Sequence, residues 1–177
     1  MGLLNAARMN SALTALDSKL EGASTVQLVI GGGGAMVLAH GFPLATSDID
    51  GIPKGITFEK LDPLVKEIAR EQDLPPDWLN PYFSSFSHTL PPDYGSRLIQ
   101  VFRGERLEVL ALGKEEMLIM KCFAHRKKDV GHSRALVRGG ADLDFVATQI
   151  EALLAKGILG AQAARDFFEE ILELEGK

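Results

Sequence analysis

Two aspartates one residue apart, Asp48 and Asp50, stand out as side chains that could do chemistry. In an extended segment, alternate side chains project from one face, so the pair would point together while Ile49 turns to the core. Two adjacent carboxylates repel unless a cation lies between them. Hard oxygen donors of this kind suit Mg²⁺, which keeps several waters and shares its shell with substrate phosphates. Four glycines, Gly31 to Gly34, precede the pair. At a strand-to-helix junction such a run lets backbone N–H groups approach a phosphate with no side chain in the way. Two-metal phosphoryl or nucleotidyl transfer calls for a further carboxylate. Glu108 is the candidate, an acid inside the apolar run RLEVLAL, where a charge is costly unless paired or metal-bound.

Each of these residues also has a plainer reading. The glycines could form a generic turn, Asp48 could cap a turn after Pro43, and Glu108 could be an edge-strand acid facing solvent. A dinucleotide fingerprint fits poorly, because Met36 or Val37 stands where its third glycine belongs, although Asp50 lies near the distance of a ribose-binding acid. A Walker-type loop fails, since no Gly-Lys-Ser/Thr follows the glycines.

The elements that must position these residues follow from pattern. Leu3 to Leu20 reads as a helix with Leu4, Met9, Leu13, Leu16 and Leu20 on one stripe. Val26 to Ile30 reads as a buried strand, Ala35 to His40 as a short helix closed by Gly41, and Asp48 to Ile52 as a second strand stopped by Pro53. Phe58 to Arg70 is amphipathic, with Leu61, Leu64, Val65 and Ile68 inward. Leu74 to Pro92 reads as an irregular excursion with a turn near Trp78. Trp78, Tyr82, Phe83 and Phe86 in it could line an acceptor pocket, but packing under a long loop suits them better. Strands are expected at Leu98 to Phe102 and Leu107 to Leu112, then helices from Lys114 onward with breaks near Gly131, Gly139–Gly140 and Gly157–Gly160. The fold class is therefore α/β (α+β): a small mixed sheet flanked by helices, over residues 1–138, with a C-terminal helical extension over 139–177 packed on it. Phe167, Phe168, Ile171 and Leu172 of that extension are expected to pack inward rather than form a dimer surface.

Composition narrows the function classes. Hydrophobic residues are 46% of the chain, enough for a core, and no stretch approaches the roughly 20 apolar residues needed to span a bilayer. One cysteine, Cys122, excludes an internal disulfide and fits a reducing, cytoplasmic location. The N-terminal stretch lacks the charged and long apolar regions of a signal peptide, and Gly2 is not followed by an acylation signal. A net charge of −5 argues against a sequence-specific DNA binder, though it leaves room for an RNA held by a local patch. Arg126, Lys127, Lys128, Arg134 and Arg138 form such a cluster, which reads equally well as a solvated helix face. Cys122, His125 and His132 match no standard zinc spacing.

The stretch VIGGGGAMVLAHGFPLATSDIDGIP, followed by MLIMKCFAHRKKD, resembles the minimal nucleotidyltransferases, and more closely the uncharacterised and toxin-type members found in bacterial toxin–antitoxin loci. The likeness rests on Gly32, Gly33 and Ala35, on His40 and Gly41, on Thr46, Asp48 and Asp50, and on Lys121, Ala124, Arg126, Lys128 and Asp129. It spans about Val26 to Leu136. Three positions depart from the pattern: Leu44 replaces a basic residue, the turn is all glycine where a serine is familiar, and His132 replaces an acid. The resemblance implies that Gly32, Gly33 and Thr46 bind nucleotide, that Asp48, Asp50 and Glu108 bind Mg²⁺ and carry catalysis, and that Lys121 and Lys128 neutralise phosphate charge. It further implies transfer of a nucleoside monophosphate from an NTP to a hydroxyl of RNA, protein or a small molecule, and a cognate antitoxin as partner. Lys121 could instead snorkel from an apolar helix. The alternative function is a non-catalytic nucleotide- or partner-binding member of the same fold.

Overall fold

The computed structural model describes residues 3–22, 24–43 and 45–177. Gly2 and Leu44, both weighed above, lie outside the described residues. By its contacts the chain divides into two compact units, 1–84 with 98–112, and 85–97 with 113–177. In this division the helix beginning at Lys114 groups with the three helices that follow it.

The first unit is a five-stranded mixed sheet with three helices. Helix α1 (Ala6–Lys19) is capped by Asn5, whose side chain accepts from the Arg8 N–H at 2.9 Å, and its stripe of Met9, Leu13 and Leu16 is buried. Strand β1 (Val26–Gly31) is central, helix α2 spans Gly32–Leu38, and β2 is Ile49–Lys54. Helix α3 covers Phe58–Gln72, β3 is the pair Leu79–Asn80, and β4 (Ile99–Arg103) and β5 (Leu107–Ala111) form a hairpin. The sheet order is β3-β2-β1-β5-β4. β1 runs antiparallel to β2 and parallel to β5, while β2 and β3 are parallel. Leu28, Ile30, Ile49, Leu107, Val109 and Ala111 make the buried core of this sheet. Helices α1 and α2 pack against strands of the sheet, and α3 packs on α1.

Two expectations change here. Strand β2 does not stop at Pro53 but runs through it, paired with Leu28 of β1. Among the described residues β3 pairs with Ile49 and Asp50 and no strand pairs with β2 beyond them on that side, so a proline there removes no ladder bond on the open side. The excursion after Leu74 supplies β3, and the indole of Trp78, fully buried, donates to the Val65 carbonyl at 2.9 Å. Phe83 is buried as expected of packing, whereas Tyr82 is exposed. The turn between β4 and β5 is fixed by Asp17 of α1, whose carboxylate accepts the backbone N–H groups of Glu105, Arg106 and Leu107 at 3.1, 2.7 and 2.7 Å.

The second unit is helical. Helices α4 (Lys114–Ala124), α5 (Asp129–Arg138), α6 (Leu143–Ala155) and α7 (Ala161–Leu174) pack on one another, and Phe167, Phe168 and Ile171 of α7 are buried. The breaks at Gly139–Gly140 and Gly157–Gly160 occur, but Gly131 lies inside α5. The first break comes earlier, where His125 adopts a left-handed φ of 35° and ends α4.

Candidate active site

The glycine run follows β1 directly into α2, and its lack of side chains is used by the protein's own packing. Gly32 has φ +59°, and a Cβ there would collide with the Asp50 carboxylate. A Cβ on Gly33 would stand 2.6 Å from Thr46 Oγ1, and one on Gly34 would stand 3.3 Å from the Ile49 side chain. The first turn of α2 is therefore pressed against the segment that carries the aspartates. Thr46 is held there by paired backbone bonds with Leu4, at 2.7 and 3.0 Å. Downstream, His40 Nε2 lies 2.9 Å from the Leu112 carbonyl, tying the end of α2 to the end of β5.

Ile49 is fully buried, while Asp48 and Asp50 on either side of it are half-buried. Asp50 pairs in register with Gly31, the last residue of β1, and on its other side with Asn80 of β3. Asn80, itself buried, donates through Nδ2 to Asp48 Oδ2 at 3.3 Å and accepts the Tyr82 N–H on Oδ1 at 3.0 Å. The two carboxylates and the amide thus share one face of the sheet at the C-terminal end of β1. Asn80 was missed from sequence. Its signal is faint: a polar residue that has to be buried because it follows Trp78 and Leu79 in a loop full of prolines.

Glu108 does not join them. It faces the same side of the sheet, but its register partner is Gln27, four residues before Gly31. At the rise of an extended strand that is about 13 Å along β1 from the Asp50 row. There its carboxylate accepts from Gln27 Nε2 at 2.7 Å and pairs with Arg103 Nη1 at 2.8 Å. The residue following β5 toward the aspartate row is Leu112, not an acid. Among the described residues no group of three or more His, Cys, Asp or Glu side chains could hold a metal ion. The donor set at this end of β1 is two carboxylates and one amide.

Lys121 and Lys128 belong to the second unit. Lys121 is buried and its ammonium pairs at 2.7 Å with Asp129, which is fully buried. Arg126 Nε reaches the other oxygen of Asp129 at 2.7 Å. Burial pushes the Asp129 carboxyl up, but the bonds from Arg126 and Lys121 outweigh it and hold it below the usual range. Burial pulls the Lys121 ammonium below lysine's ordinary value, with Asp129 opposing. His132 is pushed down to about 4, by burial first and then by the charge of Lys121. Lys121 is thus a buried partner rather than a snorkelling chain, and Lys128 is exposed. Arg134 and Arg138, counted with the basic cluster, both bind Glu175. Cys122 is buried, which raises its thiol pKa.

No helix among the described residues is long and apolar enough to cross a membrane. No curated protein and no solved structure matches the chain. The family comparison does give a match: across residues 10–171 the sequence fits one family model, and the chain belongs to that family, the nucleotidyltransferases of unknown function DUF6036.

Proposed function

We propose that the protein transfers a nucleoside monophosphate from a nucleoside triphosphate to a hydroxyl acceptor, with Asp48 and Asp50 holding a magnesium ion that the triphosphate shares. The observation that carries this reading is the convergence of both carboxylates on one sheet face, beside the left-handed Gly32 at the start of α2. The donor set fits the metal, because Mg²⁺ is commonly held by one or two carboxylates and completed by water and substrate phosphates. When bound, it supplies charge neutralisation and alignment of the phosphates for in-line attack.

The chain's own groups do the remaining work. Asp48 and Asp50 present acceptor oxygens only, and the Asn80 amide orients Asp48 by donating to one oxygen. Gly32 and Gly33 open α2, where first-turn N–H groups lack intrahelical acceptors and favour an anionic phosphate. The acceptor hydroxyl gives up its proton to water, its oxygen attacks the α-phosphorus, the new P–O bond forms as the bond to the bridging oxygen breaks, and pyrophosphate leaves. Lys121, already paired with Asp129, has no part in this account.

The test is transfer of label from α-labelled NTPs, with Mg²⁺, into acceptors of a cell extract. Asp48→Asn and Asp50→Asn should each lower transfer by about 10³-fold or more, equivalent to roughly 4 kcal/mol of transition-state stabilisation. Undiminished transfer in both folded variants would sink the assignment. The place of Glu108 opposite Gln27, away from the aspartate row, favours a second reading, nucleotide binding without transfer. Calorimetry separates the two: metal-dependent NTP binding supports transfer, and NTP binding indifferent to Mg²⁺ supports the second reading.

A further inference from the structure

The connection between α4 and α5, His125 to Lys128, exposes four consecutive side chains capable of positive charge. From Lys121 to Asp129 there are four lysines and arginines against one carboxylate, in a chain that carries an excess of acids overall. That carboxylate, Asp129, is spent internally on Lys121 and Arg126. Lys127 and Lys128 make no salt bridge among the described residues. The basic surface is narrower than the sequence suggests, because Glu175 pairs with both Arg134 and Arg138 and offsets one of their two charges.

The connection is also held rigidly from below. The N–H of His125 bonds the Lys121 carbonyl at 2.8 Å, and its ring Nδ1 lies 2.9 Å from the Phe123 carbonyl. Arg126 grips both oxygens of Asp129, with Nε at 2.7 Å and Nη2 at 3.3 Å, and its backbone N–H adds a third contact at 3.3 Å. This fork holds the guanidinium plane while its side chain stays 52% exposed. Two anchored planar groups therefore stand next to two unpaired ammonium groups. Burial is the main cause of the low pKa of His132, and the charges of Lys121, Lys128 and Arg126 depress it further against Asp129.

We propose that the His125–Lys128 connection is a docking surface for single-stranded nucleic acid, with Lys127 and Lys128 on its phosphates and the His125 and Arg126 planes against its bases. Ammonium groups spread along a chain segment match a ligand whose charges recur along a backbone. Imidazole and guanidinium planes stack on unpaired bases. An acidic protein would use the lysines but leave both planes idle. As the identity of the acceptor this surface rests on the transfer reading above; as a binding surface it stands apart from it.

The test is fluorescence anisotropy of the full chain with a short fluorescein-labelled single-stranded RNA, between about 50 and 200 mM salt. Wild type should bind, and weaken as salt rises. The double variant Lys127→Ala/Lys128→Ala, both positions exposed, should bind about tenfold or more weakly, with a salt slope shallower by about 1.4, the value for two phosphate contacts on a single strand. Absence of salt-dependent RNA binding by wild type overturns the proposal. So does unchanged binding by the double variant with an unaltered thermal melt, or equal displacement of the RNA by polyglutamate at matched charge, which would point to an acidic protein. Asp50→Asn should bind the RNA as wild type does. RNA binding without any transfer therefore removes only the transfer reading, and transfer without RNA binding removes only this one.

Discussion

The aspartate pair of the first unit and the Lys121–Asp129–Arg126 group of the second are both clusters of charge drawn from motif-like stretches, and their surroundings differ. Asp129 is fully buried and bound by two cations, so its charge is satisfied within the chain. Asp48 is half-buried, receives a neutral amide from Asn80, and forms no salt bridge among the described residues. A buried pair that closes on itself is a structural joint, costly to break and inert to ligands. A carboxylate left beside a second one, with only an amide to steer it, retains lone pairs for something that arrives from outside.

Substitutions can break that contrast. The largest effect on stability is expected from Asp129→Ala, which strands Lys121 in the interior and should cost about 3–5 kcal/mol in denaturant unfolding. Asp48→Asn should shift stability by less than about 1 kcal/mol, since the change is nearly isosteric and relieves repulsion. A larger loss in the second variant than in the first would erase the distinction. Next in size is Gly32→Ala. The left-handed backbone alone should cost about 1–3 kcal/mol, and the methyl must also displace the Asp50 carboxylate, so transfer should fall with stability. Unchanged melting in this variant would mean that α2 is not pressed on the aspartate segment.

A further effect concerns pH. His132 is held at about 4 against an ordinary 6.5, so the unfolded chain binds more protons between those values. Stability from this group is complete above pH 6.5 and is lost as pH falls toward 4. The lowered carboxylate of Asp129 acts in the same direction at lower pH, contributing above its unfolded pKa and failing as acid protonates it. His132→Gln should flatten the stability profile between pH 6.5 and 4 while leaving the steeper loss in stronger acid. An identical profile in the variant would show that the imidazole is not the group responsible.

Local features were readable from the chain because they depend on near neighbours. The stripe of Met9, Leu13 and Leu16, the β4–β5 hairpin and the common face of Asp48 and Asp50 all follow from periods of 3.6 and 2. Glu108 was misplaced because its height in the sheet depends on register, and register is a property of two strands. As the second residue of a strand parallel to β1, it lies near the start of β1, while the glycines lie at the end. Asn80 escaped notice because a two-residue strand has no period to detect. The bond between Lys121 and Asp129 joins residues eight apart across a helix end, and no spacing rule announces it.

The proline inside β2 has a consequence for the protein at high concentration. Past Asp50 no strand among the described residues pairs with that side of β2, the kind of border on which a second molecule could lay a strand and begin to polymerise. Pro53 takes a donor out of that border. The sheet is left unfinished there in a way that resists growth.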